Sequence, residues 1–181
     1  MTSQASVLQI ALRSVTLGLV ALGTACSPLM WEIEASVERE APASALVEEA
    51  STEVFTLAWT DVVAEQAEWL QVSAVVQVEG EGRFFGELAL VPSDARIDPV
   101  RGAFELGMED EDGFLSTRRA VSFQIPIEGA AELGSMDFTV ELDGKDADEG
   151  VVVMWTVSGY SGAEGDAETP AGATLELTSA E

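Results

Sequence analysis

The chain has no histidine, a single cysteine at position 26 and a single lysine at position 145. Without histidine there is no Ser-His-Asp or Cys-His nucleophile system, no histidine-ligated zinc and no imidazole acid/base chemistry. One cysteine cannot close a disulfide within the chain, so the fold depends on its core alone. Lys145 lies among carboxylates, the wrong setting for the neutral amine that a Ser-Lys mechanism uses. Positive charge is scarce altogether: 8 basic residues face 33 acidic ones, for a formal net charge of −25. A surface of that sign turns away nucleic acid and anionic lipid. A Gly-rich phosphate loop is missing too, because Gly80-Glu81-Gly82 carries acid where a phosphate needs donors and positive charge.

Apolar runs long enough to cross a bilayer are also absent. A transmembrane helix needs ~20 consecutive apolar residues, and the apolar part of an export signal is about half that. The charge-free stretch Ser14–Ala25, preceded by Arg13 and followed by Cys26, fits the second description. Within it, Leu22-Gly23-Thr24-Ala25-Cys26 resembles the lipobox of bacterial lipoproteins, with Gly23 where leucine is usual. The resemblance covers the leader only. It implies that residues 1–25 are a cleaved signal peptide and that Cys26 carries a diacylglycerol on its sulfur and an acyl chain on its amine. It further implies that Ser27 sorts the protein to the outer membrane. An ordinary signal peptidase would cut the same bond, reading Gly23 and Ala25 as its small residues and leaving Cys26 bare. Several acyl chains, at ~0.8 kcal/mol per buried CH₂, anchor a protein stably where one does not.

What the remainder does have is alternation. Hydrophobic residues make up 47% of the chain, well above disordered acidic sequences, so residues 31–181 are expected to fold as one acidic domain. Residues 26–30 form a very short tether. Apolar and polar residues alternate around Trp31–Val37, Phe55–Trp59, Leu70–Val78, Phe84–Leu90, Phe104–Met108, Val121–Ile127, Met136–Leu142, Val151–Val157 and Leu175–Leu177. The expected fold is all-β, an antiparallel β-sandwich of eight to nine strands, with a jelly roll or open barrel as the alternative. Helix is credible only in Ala41–Thr52.

Gly80-Glu81-Gly82 reads as a three-residue hairpin loop that sets Glu79 against Arg83 and Val78 against Phe84. That register turns Val75 and Phe85 outward, and Met154 falls in the outward phase of its own strand. Such an apolar outer face is either covered by Ala41–Thr52 or by a loop, or free to contact a partner. Trp31, Trp59 and Trp155 fall inward as core, whereas Trp69 points out at a strand start and is a candidate contact residue.

The remaining chemistry belongs to carboxylates. Glu109–Gly113 and Asp143–Gly150 are dense acidic segments expected as turns at one end of the sandwich. Asp110, Asp112, Asp143, Asp146 and Asp148 are the candidate ligands for Ca²⁺, which takes six to eight oxygens; solvated charge is the plainer reading of the same residues. A glycosidase pair would need two carboxyl groups about 5–5.5 or 6.5–9.5 Å apart across a cleft. The expected function is therefore non-enzymatic: a lipoprotein held to the membrane through its N-terminal lipid, with a binding or structural role toward an envelope protein or glycan, and no nucleic acid. A calcium-dependent carbohydrate- or protein-binding module and a carboxylate-dependent hydrolase are the alternatives.

Overall fold

The computed structural model describes residues 30–107, 117–128, 130–165 and 168–180. Alternation becomes strand at all nine expected places. The strands are β1 (Met30–Pro42), β2 (Ser51–Trp59), β3 (Trp69–Glu79), β4 (Arg83–Pro92), β5 (Val100–Gly107), β6 (Arg118–Gln124), β7 (Ser135–Ala147), β8 (Val152–Glu164) and β9 (Leu175–Ser179). Three short helices, α1 (Ala43–Glu48), α2 (Asp61–Gln66) and α3 (Ala130–Leu133), connect some of them.

Two antiparallel sheets face each other, one in the order β1-β8-β3-β6 and the other β5-β4-β7-β2-β9. The pairings nest: β4 with β5, β3 with β6, β2 with β7 and β1 with β8. That is one long eight-stranded hairpin rolled up on itself, the jelly-roll form of the sandwich, with β9 added beside β2. Between the sheets lies a core that includes Phe55, Leu57, Leu70, Val76, Phe84, Leu88, Phe138 and Leu142, each at most 1% exposed. Burying such side chains contributes about 1.5–3 kcal/mol apiece. Trp31, Trp59 and Trp155 join them, 4–6% exposed, and the Trp59 indole donates to the Ala130 carbonyl at 2.9 Å.

The ends of the sandwich differ. At the near end, where β1 begins, α2 and α3 close the core with Val63, Ala64 and Ala130. At the far end α1 tucks Ala43 and Leu46 inside and lies against Gly144, where a Cβ would come within 2.9 Å of the Leu46 and Val47 backbone. This helix plugs the core, and so does not provide the cover for an outer sheet face expected of Ala41–Thr52.

Two further expectations change. The segment Gly80–Gly82 is not a hairpin loop, because β3 and β4 belong to different sheets. It is a corner that carries the chain from one sheet to the other, with Gly80 and Gly82 at φ 105° and 138°. The corner between β7 and β8 packs beside it: the Arg83 N–H donates to Asp148 Oδ2 at 2.8 Å, and the Asp148 N–H returns a bond to the Arg83 carbonyl at 2.9 Å. The Arg83 guanidinium lies 3.5 Å from Glu105 on the neighbouring strand β5. Secondly, Asp143–Gly150 is mostly strand and not turn, since β7 continues to Ala147 through a bulge at Lys145 that leaves Phe85 opposite Asp146 and Gly86 opposite Gly144.

Candidate functional site

Register places the outward side chains of the four-stranded sheet in cross-strand rows. At mid-sheet the row is Ser36, Ser158, Ser73 and Ser122. Toward the near end follow Glu34, Tyr160, Gln71 and Gln124, then Glu32, Gly162 and Trp69. Toward the far end come Glu38, Thr156, Val75 and Ala120, then Glu40, Met154, Gln77 and Arg118. Carboxylates on this face are confined to β1 and to the strand ends Glu79 and Glu164. The outward positions of β8, β3 and β6 between those ends carry none.

The other sheet places its charges differently. Its outer side bears Glu87, Glu105, Asp137, Glu141 and Asp143, partly offset by Arg101, which lies 3.3 Å from Glu87 and 3.1 Å from Glu141, by Arg83 beside Glu105 and by Lys145 beside Asp143. Carboxylates thus line the β1 edge and the strand ends of the four-stranded sheet and leave the outer face of β8, β3 and β6 nearly uncharged, whereas on the other sheet charged side chains reach the middle strands. Interface centres are depleted of charge in this way, and surfaces kept only for solubility are not.

Two aromatic side chains lie along the nearly uncharged face. Trp69 extends over Gly162, where a Cβ would stand 2.5 Å from its Cζ2 and 3.0 Å from its Cε2. A glycine there lets the indole settle onto the strand. Tyr160 stands in its cross-strand row between Glu34 and Gln71, with Ser158 two residues before it on the same face. Ser158 stands on the outer side yet is only 3% exposed. Burial, aided by the nearby Glu34 and Glu32 carboxylates, raises the Tyr160 pKa, and a hydrogen bond from Ser158 opposes that rise.

Beside Trp69 the sheet ends in a hollow of about 370 Å³, bordered by Glu68, Trp69, Gln124, Pro126, Ile127 and Glu128. Among the described residues no side-chain partner meets the Trp69 indole N–H or the amides of Gln71 and Gln124, which are themselves cross-strand neighbours.

The residues singled out in the sequence distribute as follows. Trp69, Val75 and Met154 share the nearly uncharged face, where all three are half-buried. Phe85 is separated from them on the other sheet, opposite Glu105 and Asp146. The shared register proposed for Val75 and Phe85 fails with the hairpin that implied it. Asp143 and Asp146 lie in β7 and Asp148 in the corner after it, where Asp143 pairs with Lys145 and Asp148 caps Arg83. A hollow of about 330 Å³ adjoins that corner, bordered by Pro42, Ser44, Asp148 and Glu149 among others. Among the described residues no three acidic side chains gather into a group that could hold a metal ion. Cys26, Asp110 and Asp112 lie outside the described residues.

Sequence reading missed Tyr160, Gln71 and Gln124. Tyr160 sits in Ser158-Gly159-Tyr160-Ser161-Gly162, a composition that signals a loop, although it continues the outward phase of Val152, Met154 and Thr156.

No protein-family model matches the chain. No curated protein matches it either. Among solved structures it is similar to a chain in the structure of infectious bursal disease virus, Gx strain, with 13% identity and a TM-score of 0.28. That alignment covers 84% of this chain and 46% of the viral one, so the chain spans less than half the length of that protein. A likeness so loose says nothing of function.

Proposed function

We propose that the chain is an exported binding protein of the bacterial cell envelope, lipid-anchored through Cys26, that engages an envelope ligand with the nearly uncharged outer face of strands β8, β3 and β6. The observation that carries the binding role is the carboxylate-free stretch across β8, β3 and β6. In a chain with 33 acidic residues, outward positions on three adjacent strands hold serine, threonine, glutamine, valine, methionine and two aromatics. The leader residues 14–26 support the anchor, and β1, which starts at Met30, supports a domain held close to the membrane. Four residues span at most about 14 Å.

Each half has its own test. Intact mass of membrane-extracted protein should exceed the unmodified mass of residues 26–181 by the acyl groups, and Cys26→Ser should abolish the excess. Equal masses end the lipid reading. For the face, the lipid-free Cys26→Ser protein should still sediment with isolated envelopes, and adding Gln71→Glu should release it. Sedimentation that ignores a new carboxylate at that position rules out the face as the binding surface.

A further inference from the structure

We infer that the ligand of this face is a neutral, hydroxyl-rich glycan chain, stacked on Trp69 and Tyr160 and hydrogen-bonded at Gln71 and Gln124. The inference rests on the reading that this face binds, and it assigns the chemistry of what is bound. Four features support it. The Trp69 ring lies along the sheet over Gly162 and keeps its N–H available, so it offers an apolar plate with a polar handle. The paired amides of Gln71 and Gln124 each carry two donors and one acceptor, matching hydroxyl groups that both donate and accept. Glu34, Glu68 and Glu128 stand around the aromatics; as carboxylates they accept from hydroxyls and repel any anionic chain. Finally, the hollow of about 370 Å³ beside Trp69 and Gln124 lies within the ordinary range of small-ligand sites.

The composition also selects against a protein partner. Protein interfaces centre on apolar and aromatic anchors, whereas the middle of this sheet is the row Ser36, Ser158, Ser73 and Ser122. The half-buried Val75 and Met154 lie on the far-end side of that row, away from both aromatic rings.

The test uses the full chain carrying Cys26→Ser, titrated with cellohexaose, maltohexaose and polygalacturonate. Trp31, Trp59 and Trp155 are buried, so Trp69 is the indole whose emission should respond. Expected is a saturable emission change with one or both neutral oligosaccharides and none with the polyanion. Trp69→Ala and Gln71→Glu should each weaken binding tenfold or more, and Gln124→Ala several-fold. Phe85→Ala, on the other sheet, should leave it unchanged. Trp69→Phe keeps a ring in place and should retain part of the affinity if Trp69→Ala misfolds. Saturable binding of neither neutral oligosaccharide overturns the inference, as does equal binding of the polyanion. Failure here with envelope sedimentation still lost in Gln71→Glu rejects the glycan and retains the face; sedimentation indifferent to that change rejects both.

Discussion

Single residues show how closely the strands are fitted to one another. Gly159 faces inward, and a Cβ there would run into Leu57 Cδ1. Gly159→Ala is therefore expected to destabilise by about 1–3 kcal/mol through overpacking, read as a lower urea midpoint with the slope unchanged. Trp59→Phe removes the indole bond to the Ala130 carbonyl, which keeps its bond from the Gly134 N–H, and should cost about 0.5–1.5 kcal/mol for the lost hydrogen bond. Asp94 shows the acid side of the chemistry: side-chain and backbone hydrogen bonds from Arg96 lower its pKa from 3.8 to about 2. A carboxyl held below its ordinary value adds stability above that value, and the contribution is lost as pH falls through about 2. Arg96→Gln should raise the Asp94 titration, followed by carboxyl NMR, toward the usual carboxylate range but short of it, because the backbone N–H at position 96 still donates to the carboxylate. The tryptophans were legible from phase alone, with Trp31, Trp59 and Trp155 inside and Trp69 outside. Tyr160 was not, because the glycines flanking it look like a loop until Leu57 fills the space at Gly159 and Trp69 covers Gly162.

Elements were legible as elements and illegible as neighbours. Two-residue alternation tells which side chains point inward, and it found every strand. It cannot tell whether two successive strands lie side by side or face each other across the core, since Val78 and Phe84 are buried in either arrangement. What sends β3 and β4 to different sheets is tertiary: the reciprocal bonds between Arg83 and Asp148 lock two corners together. Gly82→Ala should unlock them, because φ is 138° there and a Cβ would sit 2.8 Å from Asp148 Cβ. A loss of about 1–3 kcal/mol is expected, with faster amide exchange at Arg83 and Asp148. The open side between β1 and the second sheet is held by Arg39, whose guanidinium binds Glu53 and the Ser179 hydroxyl, each at 3.0 Å, and lies over the Phe55 ring. No pattern in the sequence marked that arginine.

On the scale of the whole molecule, charge acts over distances longer than any single contact. The formal net charge is −25. The Debye length is about 8 Å at physiological salt but about 30 Å at 0.01 M, so repulsion between carboxylates two or more strands apart adds up only in dilute buffer. The melting temperature should fall on dialysis from 0.15 M to 0.01 M salt; an unchanged value would mean that local ion pairs neutralise the surface. The nested pairing has a further consequence, for the order of events. The first strand, β1, finds its sheet partner only in β8, more than a hundred residues later, and loop closure over such a distance is slow. A chain cut before Val152 has a first strand with nothing to pair, and it should remain unfolded however long it waits. The ribosome has thus to reach β8 before this chain is able to fold.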